Sequence, residues 1–502
     1  MKKTVLCIAL AAALSPLPAM AADPFSSLTK LWTYNHAATS VVGQTSEISA
    51  FDSVTNSLWV AGVAGVDVLN ATNGSLIGHI DTTAFGSINS VAIHNGIAAF
   101  AIESTVDRTA PGVIKFFDTT TRSLSAGINS VTVGALPDML TFTPDGSKLL
   151  VANEATPTVY GNPALDPAGS VSIINMATRS VVATAGLSGV ATSGSYLRTT
   201  TGMDFEPEYI AVNAAGTKAY VSLQEANGMG VLDLNTNSFA SVIGLGAKDF
   251  NVAANAIDPN DRDYLVGSTG PTKTELRTVA VKGLYQPDGM AAYQAGNKTY
   301  IVMANEGDTR EDDGDKARAS TISGTTNDLK RLNISAPDSS PGNLVTFGAR
   351  SFSIRDEAGN IVFDSGKQLD AEAIARGIYD DTRSDDKGVE PEGVELMTIG
   401  GRTYAFIGLE RTTKAAVAIY DVTDPSSASF MDMIVTDGDI APEGIKGFTA
   451  GGVHYLAIAN EVSNTTTVYS LAPVPEPESY AMMLAGLGLL GVVARRRKAA
   501  RQ

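Results

Sequence analysis

The sequence predicts an all-β fold, a seven-bladed β-propeller, and three observations carry that expectation. A single unit of two apolar strands around a turn recurs along the chain. It opens at Pro followed by an acid and closes on Glu. Glycine is abundant (48 of 502 residues) and only 18% of residues are charged, which suits a turn-rich β protein better than a helical one. Further short strands follow most copies, so each unit reads as a four-stranded antiparallel sheet, the pattern of a propeller blade.

The clear copies run Pro137-Asp138 to Asn153-Glu154, Pro207-Glu208 to Gln224-Glu225, Pro287-Asp288 to Asn305-Glu306, Pro391-Glu392 to Leu409-Glu410 and Pro442-Glu443 to Asn460-Glu461. Acid and closing Glu lie 16, 17, 18, 18 and 18 residues apart. Two degenerate copies precede them, Ser46-Glu47-Ile48 to Gly62 and Ile88-Asn89-Ser90 to Glu103, which brings the total to seven. Within a copy, Leu140-Thr141-Phe142 alternates, Pro144-Asp145-Gly146 turns and Lys148 to Val151 returns, the pattern of a β-hairpin. Ser170–Ile174, Gly230–Leu234 and Ala416–Tyr420 read as third strands, and Ser180–Thr184 as a fourth.

The last unit offers three strands, the third at Thr466–Tyr469. Leu31–Tyr34 is an orphan strand before the first unit and is expected to complete the last sheet, which would remove an exposed edge. The uneven spacing of the copies places insertions in blades three to five. The largest lies between Glu306 and Glu392. It holds an acid-rich loop, a polar stretch, a hairpin over Ser351–Phe363 and a helix over Asp370–Tyr379. Loops that long in a compact domain are usually functional or disordered.

Both termini read as addresses. Met1-Lys2-Lys3, an apolar run and the small residues up to Ala22 form a signal peptide over 1–22. Residues 23–472 form the body. Residues 473–502 hold Pro475-Glu476-Pro477, an apolar stretch from Tyr480 to Ala494, and Arg495-Arg496-Arg497-Lys498. That stretch covers roughly 22 Å as a helix, short for a permanent span but long enough for transient anchoring with the arginines cytoplasmic. These features resemble a PEP-CTERM sorting signal. The resemblance implies an exosortase as partner, cleavage near the Pro-Glu-Pro, and delivery to the outer surface, extracellular matrix or periplasm. Cys7 falls within the leader, so the exported body has no thiol.

Removing the leader's two lysines and the tail's five bases and two acids carries the net charge from −17 to −22. Such a body repels polyanions, which excludes nucleic acid, and favours divalent cations or cationic partners. The four histidines are scattered and read as hydrogen-bonded surface or strand residues. No zinc cluster, metalloprotease helix, serine-nucleophile elbow or phosphate-binding Gly loop is present.

The candidate site follows from hairpin geometry. In a propeller the first strand of each blade lines the central channel, so Asp138, Glu208, Asp288, Glu392 and Glu443 should converge at one mouth. Glu154, Glu225, Glu306, Glu410 and Glu461 should sit just outside them. Clustered carboxylates repel unless a cation lies among them. Bound Ca²⁺ or Mg²⁺ would serve, with Asp138, Glu208, Asp288, Glu306, Asp308, Glu392 and Glu443 as ligands. So would the basic neighbours Arg310, Lys387 and Arg411. The competing structural explanation is that each acid accepts backbone N–H groups between blades. Glu306–Asp315 carries six acids in ten residues without EF-hand spacing, and Asp258–Asp263 is a second acidic turn. Arg383, Asp385, Asp386 and Lys387 bring mixed charge to the channel entrance, and with Arg310, Glu410, Arg411 and Glu461 they form the candidate ligand-binding set.

The Asn305-Glu306-Gly307-Asp308-x-Arg310 loop, the Arg383–Gly393 segment and Tyr285-Gln286-Pro287-Asp288 resemble the choice-of-anchor I domain family, over about residues 30–472. The resemblance implies an extracellular domain similar to mesenchyme-specific cell-surface glycoproteins and attached by varied C-terminal anchors. It implies surface display without an established reaction. Two functions are expected to compete. One is a non-catalytic surface or matrix propeller binding exopolysaccharide or protein, with Ca²⁺ at its mouth. The other is a metal-dependent hydrolase of phosphate esters, in which carboxylate-held metal would activate water. The sequence assigns no catalytic residue.

Overall fold

The computed structural model describes residue 25 and residues 28–162, 164–199, 205–263, 273–311 and 314–471. The leader and the C-terminal sorting segment lie outside the described residues, and so does the expected anchoring stretch. No helix among the described residues is long and apolar enough to cross a membrane.

The described chain is all-β. Seven sheets of four or five strands follow one another. Sheet one comprises Ser49–Asp52, Ser57–Gly62, Gly65–Asn70 and Leu76–Asp81. Sheet two comprises Ile88–His94, Ile97–Ile102, Pro111–Asp118 and Ser130–Ala135, with Ser123–Leu124 added. Sheet three holds Pro137–Phe142, Lys148–Asn153, Ser170–Asn175 and Ser180–Gly186. Sheet four holds Ile210–Val212, Lys218–Leu223, Gly228–Asp233 and Ser238–Leu245, with Thr192–Ser195 parallel to the last. Sheet five is Met290–Ala295, Lys298–Asn305, Ser351–Asp356 and Ile361–Asp364. Sheet six is Pro391–Ile399, Arg402–Leu409, Ala415–Asp421 and Ser429–Thr436. Sheet seven is Pro442–Ala450, Val453–Asn460, Thr465–Leu471 and the N-terminal Thr29–Asn35.

That N-terminal strand pairs antiparallel with the last one, Thr29 opposite Ser470 and Asn35 opposite Thr465, as expected from the orphan Leu31–Tyr34. The first strands contact one another in chain order, and the first strand of sheet seven contacts that of sheet one. Seven apolar clusters fill the seven gaps between neighbouring sheets. Leu58, Val60, Ala457 and Val468 close the gap between the last sheet and the first. The middle strands are buried on both faces, which is why Leu149-Leu150-Val151 and Phe406-Ile407 read as apolar runs instead of alternating.

Glycine after the leading acid sets the spacing of the first strands. A Cβ on Gly289 would lie 2.3 Å from the carbonyl oxygen of Glu392, one on Gly393 2.4 Å from that of Glu443, and one on Gly444 2.1 Å from that of Glu47. The backbones of Glu392, Glu443 and Glu47 therefore pack on the glycine of the preceding sheet, and Glu47 takes the leading position in sheet one. The same position in sheet two is the neutral Asn89, whose amide donates to the carbonyl of Pro137 (3.2 Å).

Two expectations need correction. The Ser351–Phe363 hairpin is not an inserted ornament but supplies the outer half of sheet five. The insertion therefore splits, one part inside sheet five and one between sheets five and six. The helix forms over Gln368–Ala375, shorter than expected because Gly377 at φ +67° stops it. The part within sheet five adds Leu344–Thr346 to a small sheet whose other strands, Ala247–Asp249 and Val281–Leu284, come from the segment between sheets four and five. It also pairs Lys316–Arg318 with Asn333–Ser335, and an apolar cluster joins the two segments. Buried Arg350 donates to the carbonyls of Asp258, Ser384 and Asp386 (2.9, 2.7 and 3.0 Å), which pins the 383–388 segment.

Candidate functional site: an acidic channel mouth

A recurrent backbone device ties the start of four units to their returning strands. Leu136, Gln286, Glu390 and Ala441, each just before the unit's proline, hold left-handed conformations (φ +43°, +41°, +49° and +60°). Such a backbone costs of order 1–3 kcal/mol per residue and persists where its surroundings hold it. Its carbonyl turns toward the returning strand. Leu136, Glu390 and Ala441 thereby accept the N–H of Glu154, Glu410 and Glu461 (2.9, 3.0 and 2.8 Å). In the Gln286 copy the donor is Gly307 (3.0 Å). In three copies the closing Glu is thus anchored beside the leading acid.

A cavity of about 780 Å³ runs along the first strands. It is lined by Asp138, Glu208, Asp288, Glu392 and Glu443, with Glu154, Glu306, Asp308, Glu395 and Glu410 beside them. Against these ten carboxylates stand Lys387, Arg411 and Lys446. The five leading acids keep an opening to the cavity yet sit deep in the protein. Burial is therefore the first cause of their raised pKa values, and for Glu208, Asp288, Glu392 and Glu443 repulsion by neighbouring carboxylates is the second. Asp138 rises to about 6; Glu208, Asp288, Glu392 and Glu443 rise well above the carboxylate range. Glu154, Glu225 and Glu410 are each pushed to about 8, and Glu47 to about 7.

Among the described residues, backbone N–H groups leave part of this set without partners. One carboxylate oxygen of each of Glu208, Glu392 and Glu443 is buried without a hydrogen-bond partner among the described residues. The neutralisation that does exist is local. Lys387 Nζ lies 2.7 Å from Glu306 and 2.9 Å from Glu390, with Asp308 at 4.0 Å. Burial pulls the lysine's pKa down, but these carboxylates carry it well above its usual value. Gln224 of sheet four donates to the other oxygen of Glu306 (2.9 Å).

The remaining expected residues divide. Arg411 lines the cavity but its guanidinium sits on Glu410 (2.7 Å). Arg310 is not at the mouth. It is buried beside Glu206 (3.7 Å) and over the ring of Tyr160, because its backbone N–H is held by Asp315 (2.9 Å). Arg383 pairs with Asp386 and Glu390 (2.9 and 2.7 Å), and Asp385 with Arg318 and Arg331 (2.5 and 3.0 Å), so Arg383, Asp385 and Asp386 brace the insertion instead of lining the cavity. Glu461 points to solvent. Asp258 is fully buried and accepts the N–H of Glu275 (2.8 Å), a structural turn.

Glu206, Glu395 and Lys446 were not expected, and Glu390 only as part of the Arg383–Gly393 segment. Glu206-Pro207-Glu208 and Glu390-Pro391-Glu392 carry a signal that would have found two of them, an acid on each side of the proline. Glu395 and Lys446 pair across neighbouring first strands (3.0 Å) and leave no sequence signal.

Two triads bring one oxygen from each member within 4.8 Å of one another: Glu154, Glu208 and Glu225, and Glu306, Glu390 and Glu410. The scattered histidines also gather. His36 and His79 both reach Asp67 through Nδ1 (2.7 and 2.8 Å), and His36 Nε2 meets Thr466 (2.8 Å). The N-terminal segment, sheet one and sheet seven are thereby tied together; His79 is a hydrogen-bonded strand residue as expected, whereas His36 is fully buried just after the N-terminal strand.

An all-β domain with an acid-crowded channel, followed by a sorting signal, defines an exported surface module. The choice-of-anchor I domain profile matches residues 47–425, and the chain belongs to that family. Residues 473–498 match the PEP-CTERM protein-sorting motif, the signal an exosortase recognises, so the protein is exported to the cell envelope or surface. No curated protein matches the sequence. Among solved structures, Kuenenia stuttgartiensis hydrazine synthase is similar at 12% identity with a TM-score of 0.50, over 86% of this chain and 97% of that one; the likeness concerns the fold alone. A chain from the structure of the mitotic checkpoint complex is similar at 10% identity with a TM-score of 0.47, over 94% and 99% of the two chains.

Proposed function

We propose that the protein is an exported, seven-bladed β-propeller of the cell surface or extracellular matrix that binds a ligand at the acidic mouth of its channel with the help of Ca²⁺ or Mg²⁺. The seven sheets with cyclic first-strand contacts support the blade count. One observation carries the binding role: ten carboxylates line one cavity against three cations. A cation bound there through oxygen keeps coordination positions open to the channel. A polyhydroxylated exopolysaccharide of the producing cell, or an oxygen-rich loop of a surface protein, completes them. Exosortase processing places the body where such ligands lie.

The test is affinity retention of the intact protein on the host's own exopolysaccharide and on surface-protein extracts, with Ca²⁺, with Mg²⁺ and with chelator. Cation-dependent retention that Glu392→Gln weakens is the expected result. No retention on either material under any condition overturns the reading. Turnover of a phosphoester panel by metal-loaded protein would replace it with the hydrolytic alternative, which neither the family assignment nor the fold comparison favours.

A further inference from the structure

We infer that Glu154, Glu208 and Glu225 hold one divalent cation of the Ca²⁺ class, in the corner of the cavity between sheets three and four. The inference rests on the reading of the mouth as a cation-assisted binding site and names the side chains that would carry the ion.

Spacing comes first. Three oxygens within 4.8 Å of one another suit a single ion, because two Ca²⁺–O bonds of about 2.4 Å span about 4.8 Å at most. Burial without partners is the independent observation. Glu208 and Glu225 are 9% and 6% exposed, and each has an Oε2 with no hydrogen-bond partner. Buried carboxylates are normally paired or bound to metal. Among the described residues no ion pair reaches any of the three. Of the cations nearby, Arg108 is held by Glu311 and the carbonyl of Pro157, and Arg310, 3.7 Å from Glu206, acts on Glu225 through space without forming an ion pair with it.

The ligands are also positioned in advance. The backbone N–H of Glu154 is fixed on Leu136, and that of Glu208 donates to Ser222 (3.2 Å). Arg198 donates to the carbonyl of Glu225 (2.7 Å). Thr156 donates to the Glu154 carboxylate. A site whose members are already held costs less to organise on binding.

The experiment is calorimetric titration of the chelator-treated intact protein with Ca²⁺ in about 0.5 M NaCl, which screens diffuse ion atmosphere. One saturable equivalent is expected. Glu208→Gln and Glu225→Gln should each weaken it by about 10–100-fold. Glu372→Gln, on the outer helix and paired with Arg376, should leave it unchanged. Near-UV circular dichroism verifies folding of each variant, and an anomalous map of Ca²⁺-soaked wild-type crystals locates the ion without any mutation. Absence of a saturable equivalent, undiminished binding by both Gln variants, or an anomalous peak away from these carboxylates overturns the inference. If both Gln variants bind Ca²⁺ fully while wild-type retention on exopolysaccharide stays Ca²⁺-dependent, only this site assignment falls. If Ca²⁺ binds as expected and nothing is retained, the site stands and the ligand-binding reading falls.

Discussion

Two carboxylate triads each place two members on the same cavity, Glu154 and Glu208 in one and Glu306 and Glu410 in the other, and they are neutralised in different ways. The Glu306, Glu390 and Glu410 triad encloses Lys387, and Arg383 and Arg411 brace its outer oxygens. The Glu154, Glu208 and Glu225 triad has no such ammonium. Four of the six acids, Glu154, Glu225, Glu306 and Glu410, are closing glutamates of the repeat, so the hairpins build both corners alike. What differs is the chain between sheets five and six. Its 383–390 segment, held down by Arg350, supplies both a cation and an extra carboxylate. Cation supply in this fold is thus a property of an insertion, and acid supply a property of the repeat.

The largest way to break the comparison is Lys387→Met. It leaves Glu306 and Glu390 buried beside each other without their ammonium. Removing one partner of a buried pair typically costs about 3–5 kcal/mol. Denaturant unfolding should show a loss of that size, and Ca²⁺ should restore part of it by entering the vacated corner, seen as a larger calcium-induced rise in Tm than in wild type. A loss under about 1 kcal/mol would mean that the lysine is incidental and the two corners are alike.

A third buried carboxylate calibrates both. Asp67 is neutralised by neither insertion nor metal but by side chains of the N-terminal segment and sheet one. Burial alone would raise its pKa; hydrogen bonds from His36, His79 and Thr39 bring it down to about 2. A folded-state value below the unfolded 3.8 means that the stabilisation is complete above about pH 4 and is lost as pH falls toward 2. A shift of nearly two units corresponds to about 2–3 kcal/mol. Acid unfolding of Asp67→Asn should therefore differ from wild type by about that amount at pH 6 and converge with it near pH 2. Equal pH profiles would remove Asp67 from the closure between the first and last sheets.

The fold was legible because its cause is periodic. Every unit repeats proline, acid, alternating strand and Gly turn, and the unpaired strand at each end of the body pointed to their pairing. The leading acids were legible for the same reason. Ser351–Phe363 misled because nothing in a hairpin's sequence says which sheet it joins. Arg310 and Asp385 misled because charge near the mouth in sequence does not say where a side chain is held; Asp315 and Arg318 decided that, from other parts of the insertion. The Asp67 pair of histidines lay 43 residues apart and was visible only once the N-terminal strand had closed the last sheet.

The smallest effect separates the two corners most sharply, because it changes sign. Glu208→Gln keeps the shape of the side chain and removes a carboxyl group whose Oε2 has no partner and whose pKa is raised by burial, by Glu225 and by Asp288. With chelator present, at pH 8, the protein should gain about 1 kcal/mol of stability, since relief of like-charge crowding outweighs any lost contact. Glu390→Gln at the same pH should instead lose about 1–3 kcal/mol, because Lys387 and Arg383 each give up a charged partner. Saturating Ca²⁺ should reverse the ranking of Glu208→Gln against wild type, since only the native carboxylate gains the ion's binding energy. If both substitutions destabilise equally in chelator and neither responds to Ca²⁺, the two triads are equivalent packing features of the channel wall.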